Sequence, residues 1–332
     1  MRRSQALLTN RSLAGETRLR HAWGVSIGDR LANHTRFARV RARLEAYVPP
    51  PGWPSWLYEL ALFGFKQGWA CLFGGLMLAL LIGTYFLYPD DAPLARYDFL
   101  TLAALSIQLA MLAFRLETWG EAKVIIAFHV VGTVMEVFKT SAGSWIYPEP
   151  SLLRIGGVPL FSGFMYGAVG SYFARVWRIF DLRFEPYPRS PWPQVLAVAI
   201  YVNFFAHHWL PDIRLALFAA MGLLFWRTKA SFLVWRERRW MPLLLGWFLV
   251  ATFIWFAENL GTFARAWTYP AQVRTWHLVT PMKLGAWYLL MYISFVLVAT
   301  IHRPRHGQSR TGALLAAEGM ALSPPGRVKG ET

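Results

Sequence analysis

The chain has almost no cysteine. Cys71 is the only one in 332 residues, and it lies inside an apolar run, so neither a disulfide framework nor a thiolate metal site is available. Acidic residues are scarce too: 18 Asp and Glu stand against 34 Lys and Arg, for a formal net charge of +16. The spaced histidine boxes of membrane di-iron enzymes are missing, which argues against a metal. The start of the chain has no short apolar region with a small-residue cleavage site, so the first membrane helix is expected to serve as the targeting signal. So basic a chain invites a nucleic-acid reading. No binding module accompanies the arginines, however, and no nucleic-acid partner is expected.

What the chain has in abundance is apolar surface. It is 55% hydrophobic and 16% aromatic, with a mean hydropathy of +0.33, too apolar for an ordinary soluble domain. The bilayer is therefore its expected partner, in an all-α, multi-pass membrane bundle. Arg2, Arg3, Arg11, Arg18, Arg20, Arg30, Arg36, Arg39, Arg41 and Arg43 all precede the first long apolar run, as in a cytosolic arm beside an anionic leaflet. Within that arm, Leu31, Phe37, Val40 and Leu44 recur at nearly helical spacing, which suits either a surface helix or a solvated arm.

The Pro49-Pro50-Pro51-Gly52 run ends the arm, and an aromatic interfacial segment follows over 54–66. Apolar stretches long enough to cross a bilayer then fall at 69–88, 99–114, 121–138, 158–176, 193–210, 212–228, 241–259 and 282–301, which predicts eight spans. Even numbering puts both termini on one side. The loops after the second, fourth and sixth spans carry Arg115 and Lys123, then Arg175, Arg178, Arg183 and Arg189, then Arg227, Lys229, Arg236, Arg238 and Arg239. These face the cytosol, as expected for the inner (plasma) membrane of a bacterium. The division is a cytosolic arm (1–53), two four-helix halves (54–176 and 177–301) and a flexible cytosolic tail (302–332).

One offset relates the halves. Glu136, Thr140 and Trp145-x-Tyr147-Pro148 reappear 122 residues later as Glu258, Thr262 and Trp267-x-Tyr269-Pro270. The same shift carries Pro89-Asp90 onto Pro211-Asp212, Pro159 onto Pro281, Gly163 onto Gly285 and Tyr166 onto Tyr288. A shift of four helices preserves orientation, so these are parallel repeats about an axis along the membrane normal, with the shared signatures on the external side.

Ionisable groups within spans are costly and mark sites, which singles out Glu136 and Glu258 as acids. The rival reading is a carboxyl that hydrogen-bonds across helices. His207, His208 and Asp212 crowd the end of the fifth span, with Asn203 one turn earlier and His129 in the third span. Adjacent histidines diverge on a helix, so a hydrogen-bonded or proton-transferring cluster is expected rather than a metal site. Asp90 and Asp212 each follow a proline at a helix start, where either would serve as a cap. Trp145, Tyr147, Trp267 and Tyr269 would line a pocket for a hydrophobic or amphipathic molecule, or form an aromatic belt. Lys139, Arg154, Arg274, His277 and Lys283, on the same side, would hold an anionic headgroup or stay solvated. No pattern names a cofactor or an oligomeric state.

The segment Glu136-Val-Phe-Lys-Thr-Ser-Ala-Gly-Ser-Trp145-Ile-Tyr147-Pro148-Glu149, followed by Ile155-Gly-Gly-Val-Pro159-Leu-Phe-Ser-Gly163, resembles an uncharacterised bacterial membrane family, the domain of unknown function numbered 817. His207-His208-x-x-Pro211-Asp212-x-Arg214 and the stretch from Glu258 to Lys283 resemble the same family, so that the likeness covers about residues 55 to 300. More distantly, the order Glu, small-residue turn, aromatic-x-Tyr, Gly-Val-Pro is similar to motifs of membrane carotenoid hydratases and lycopene cyclases. That likeness implies protonation of an isoprenoid double bond. The paired carboxylates of the cyclases are absent, since Pro159 is followed by Leu160 and Phe161, and Pro281 by Met282 and Lys283. A hydratase-like or other acid-assisted reaction is what the resemblance leaves; the alternatives are a proton-coupled carrier and a non-catalytic lipid-binding or assembly protein.

Overall fold

The computed structural model describes residues 47–302; the surface helix considered for 31–44 and the tail beyond 302 lie outside them. Nine α-helices dominate these residues: α1 Trp53–Ala70, α2 Leu72–Leu87, α3 Arg96–Ala113, α4 Trp119–Ser141, α5 Phe161–Ile179, α6 Trp192–Ala206, α7 Arg214–Phe225, α8 Leu243–Phe263 and α9 Met282–His302. Each of the eight apolar stretches coincides with one helix from α2 to α9, and the aromatic segment before them is α1.

Length and composition separate these helices. Among the described residues α4, α8 and α9 are long and apolar enough to cross a membrane. At 1.5 Å per residue the 23 residues of α4 reach about 35 Å, more than the ~30 Å of hydrocarbon. A fourth candidate is the pair α1 and α2, which passes as one span but bends by 69° at its break. The stretches at 193–210 and 212–228 shrink to 15 and 12 helical residues, because Trp209, Leu210, Pro211 and Asp212 form a turn between them. Apolar side chains such as Leu87, Leu215, Leu223 and Phe253 are more than three-quarters exposed, a surface suited to lipid rather than water.

The all-α expectation needs one correction. Two small antiparallel sheets are present, a hairpin of β1 (Arg154–Ile155) and β2 (Val158–Pro159), and a three-stranded sheet ordered β3 (Arg183–Glu185), β4 (Lys229–Leu233), β5 (Arg238–Pro242). The larger sheet pairs Glu185 with Lys229 and Lys229 with Pro242. It draws together the two loops richest in arginine, at the end of the bundle opposite Glu136.

Close packing of α4 on α5 rests on glycine. A Cβ on Gly132 would stand 2.4 Å from the Tyr166 ring, and one on Gly163 would stand 2.5 Å from His129, so the backbones approach as only small residues allow. The core between the halves is aromatic, with Phe128, Phe173, Phe225, Trp247, Tyr292 and Phe295 all buried. Helix α4 starts on a capping box in which the Thr118 hydroxyl accepts from the Glu121 N–H and the Glu121 carboxylate accepts from the Thr118 N–H. Neither Asp is the N-cap of a helix: Asp212 lies one residue before the N-cap Ile213 of α7 and accepts from the Arg214 N–H at 2.9 Å. Helix α3 begins at Arg96, too far along for Asp90, and its own Asp98 accepts instead from the Leu152 and Leu153 N–H groups.

Candidate functional site

Glu136 lies in the penultimate turn of α4 and is buried. Its Oε2 accepts from Trp145 Nε1 and Tyr147 OH, each at 2.7 Å, while Oε1 accepts from Tyr166 OH at 2.7 Å. Two donors come from the segment directly after the helix and the third from α5. Glu258, equally buried in α8, accepts from Tyr269 OH at 2.5 Å and Trp287 Nε1 at 2.8 Å. Burial, and then the carboxyl each one serves, push the Tyr147 and Tyr269 phenols well above their ordinary range, so both remain neutral donors at any physiological pH.

The two carboxyl clusters adjoin. Ile146 and Thr268 exchange backbone N–H···O bonds of 2.9 Å in both directions, and these residues are themselves 122 apart. Trp145 meets Tyr269 edge to face with ring centroids 6.0 Å apart. Lys283 Nζ sits 4.4 Å from the centre of the Tyr269 ring and 5.5 Å from that of Trp145, in reach of a cation–π interaction with both.

The expected equivalence of the halves stops at the donors. Tyr288, at the position matching Tyr166, donates to the Leu244 carbonyl rather than to Glu258, and its neighbour Trp287 takes the place. Trp267 covers Gly261, where a Cβ would fall 2.3 Å from the indole. Trp287 carried no signal in the sequence, since one residue along a helix turns a side chain by about 100° and alters its partner entirely.

A second group stands beside the first. Lys139, one turn beyond Glu136 and buried, donates to His208 Nε2 at 3.1 Å and His207 Nε2 at 3.4 Å. His207 Nδ1 lies 2.9 Å from the Asn203 carbonyl, which assigns the proton to Nδ1 and leaves Nε2 as acceptor. Asp212 takes Asn203 Nδ2 at 3.0 Å and pairs with Arg214 at 2.9 Å, with no direct hydrogen bond to either imidazole among the described residues. Partial burial pushes its acid strength down, but the bonds from Asn203 and the Arg214 N–H, with the Arg214 charge, outweigh that and hold the carboxyl below its usual range. Among the described residues no three His, Cys, Asp or Glu side chains converge as metal ligands. His129 stands apart from this cluster, edge-on to Phe164 at 4.8 Å. Arg154 bonds within its own turn to Ser151 and the Glu149 carbonyl, and His277 lies against backbone carbonyls.

At the opposite end of the bundle lies a buried network that charge counting concealed. Arg175 and Arg178 counted as loop residues, yet both belong to α5. Arg175 is fully buried and donates to the Leu116 carbonyl at 2.8 Å and to the Trp69 carbonyl at 2.6 Å. Glu117 accepts from Gln108 at 2.6 Å and Ser171 at 2.5 Å, and Arg178 pairs with Glu121 at 2.9 Å.

A family model described as Protein of unknown function (DUF817) matches residues 59–295. The protein described as Uncharacterized protein YoaT from Bacillus subtilis (strain 168) is 41% identical over 255 residues, 77% of this chain and 96% of the relative. No solved structure matches the chain.

Proposed function

We propose, for a chain that belongs to the DUF817 family, a multi-pass bacterial inner-membrane protein that carries out an acid-assisted reaction on an isoprenoid or other hydrophobic lipid. Eight spans in two parallel repeats, 54–176 and 177–301, with both termini cytosolic, complete the reading. What supports the arrangement is the match of each apolar stretch to one helix, the loop arginines, and the exchange of hydrogen bonds between Ile146 and Thr268, the same position of each repeat.

The observation that carries the chemistry is the double role of Tyr166. Its hydroxyl donates to Glu136, and its side chain also lines a narrow apolar crevice with Phe128, Val131, Met135, Leu290 and Ile293. Glu136 is separated from this crevice by the Tyr166 phenol, and a carboxyl held by neutral donors can pass a proton to a C=C carbon once the ring moves and a lipid chain widens the crevice. Tyr147, Tyr166 and Trp145 stabilise the carboxylate left behind, and water capturing the cation returns the proton to it. Glu258 repeats the motif with two donors.

The test is mass spectrometry of lipid extracts from cells lacking the gene, complemented with wild type or with Glu136→Gln. A lipid lost on deletion and restored by wild type alone supports Glu136-dependent chemistry; restoration by Glu136→Gln removes the acid. One observation favours a proton-coupled carrier as second reading: the 69° break between α1 and α2, since discontinuous helices recur at transporter sites. Transport requires the site to open to both sides in turn, and cysteine labelling from one face under every condition sinks it.

A further inference from the structure

Lys139 is a buried ammonium whose two hydrogen-bonding partners are imidazoles, neither of which carries negative charge. Its electrostatic neighbours are Lys283, Arg214 and Asp212, and the Asp212 carboxylate is already taken by Asn203 and Arg214. Lys139 and Arg214 thus share one engaged anion, while Lys283 has the Glu258 carboxyl beside it. A buried charge in that position is costly unless a counter-anion joins it.

The fold itself does not require these charges. Subtracting or adding 122 places Tyr85, Phe86, Gly261 and Phe161 where His207, His208, Lys139 and Lys283 stand. Those four positions carry no charge: Tyr85 packs on Phe263 with centroids 5.5 Å apart, Trp267 closes over Gly261, and the nearby Arg96 has its own carboxylate partner in Glu149. The charged corner opens outward through the exposed His208. It borders the flank where Val130, Val134, Val198 and Val202 of α4 and α6 are all more than half exposed, on a chain read as membrane-embedded.

We propose that Lys139, His207 and His208, within the field of Lys283 and Arg214, bind the anionic oxygens of a phosphate-type headgroup whose lipid chain lies along α4 and α6. Lys139, turned from the two Nε2 atoms to the anion, and the Nε2–H groups of the imidazoles once protonated supply charge-assisted hydrogen bonds, and the valine flank takes the chain. The site deepens the lipid reading above, from which it takes the membrane setting, but it needs no turnover.

The experiment uses the full chain purified in an uncharged detergent, titrated with dodecyl phosphate, dodecanol or inorganic phosphate and followed by thermal unfolding and tryptophan fluorescence. Dodecyl phosphate is expected to raise the unfolding midpoint saturably, with dodecanol inert and inorganic phosphate at least about tenfold weaker. Lys139→Met should weaken dodecyl phosphate about tenfold or more, and Lys139→Arg much less. His207→Gln with His208→Gln should weaken it severalfold, and this variant decides the matter if Lys139→Met does not fold. Absence of saturable binding to wild type, or equal binding by the substituted chains, overturns the site. Inorganic phosphate binding as tightly as dodecyl phosphate overturns the lipid source. Binding that survives in Glu136→Gln while gene deletion leaves every lipid unchanged would remove the acid-assisted reaction and leave this site standing.

Discussion

At the scale of the single residue, Glu136 and Gly132 depend on each other through Tyr166. Gly132→Ala would set a Cβ 2.4 to 2.7 Å from that ring, and overpacking of this kind costs about 1–3 kcal/mol. The expected result is a lower unfolding midpoint in detergent together with loss of Glu136-dependent lipid conversion, because the displaced phenol no longer reaches the carboxyl. A second prediction concerns His208. Partial burial, then the Lys139 ammonium and His207, hold its imidazole below the ordinary range. A bound anion raises it, so its contribution to binding is complete below the free value and is lost as pH climbs through the bound one. Because dodecyl phosphate gains its own second charge in the same window, the readout is the difference between proteins: binding at about pH 5.5 relative to about pH 7.5 should be more favourable in wild type than in His208→Gln. Identical profiles in the two proteins remove His208 from the site. The donors to Glu136 were legible because Trp145 and Tyr147 follow it closely in the chain. Lys139 and His208 were each noticed, but their contact spans 69 residues and no local pattern announces it.

At the scale of the element, the break between α1 and α2 interrupts the helical ladder and leaves carbonyls short of their regular helical donors. Arg175 supplies a replacement donor, holding the Trp69 carbonyl and the Leu116 carbonyl before α4 in the same guanidinium. Arg175→Met keeps much of the packing and removes both bonds. A loss of about 3 kcal/mol or more is expected, read as a fall in the thermal midpoint beyond that of Arg178→Met, whose partner Glu121 also caps α4. Equal effects would mean that the carbonyls find other donors. From sequence alone Arg175 counted as one more cytosolic cation, because an arginine near the end of an apolar run reads the same whether it leaves the bundle or turns into it. The β3–β4–β5 sheet was missed for a related reason. Its strands are short and rich in arginine and lysine, and although β4 and β5 form a local hairpin, the pairing of β3 with β4 joins residues 44 or more apart, beyond the reach of local periodicity.

At the scale of the whole molecule, the proposed arrangement of eight spans makes a prediction about sidedness. In a Cys71→Ala background, Ser151→Cys and Arg274→Cys should react with a membrane-impermeant maleimide from outside intact cells. Ser190→Cys and Glu237→Cys should react only after lysis. Labelling of Ser151→Cys and Glu237→Cys from one side would break the topology and with it the parallel repeat.

Composition and apolar run length already determined that the chain is helical and suited to lipid, and where each helix falls, because both follow from local residue chemistry and the thickness of a bilayer. The recurrence of motifs at an offset of 122 was legible too, since it is arithmetic on the chain. Tertiary structure decided which donors each glutamate keeps, since a one-residue change of partner from Tyr288 to Trp287 costs nothing in pattern and everything in geometry. It also decided that Arg175 is buried and that Lys139 meets two imidazoles rather than a carboxylate. Those outcomes rest on contacts between distant segments, whose free energies depend on burial and direction rather than on residue type alone.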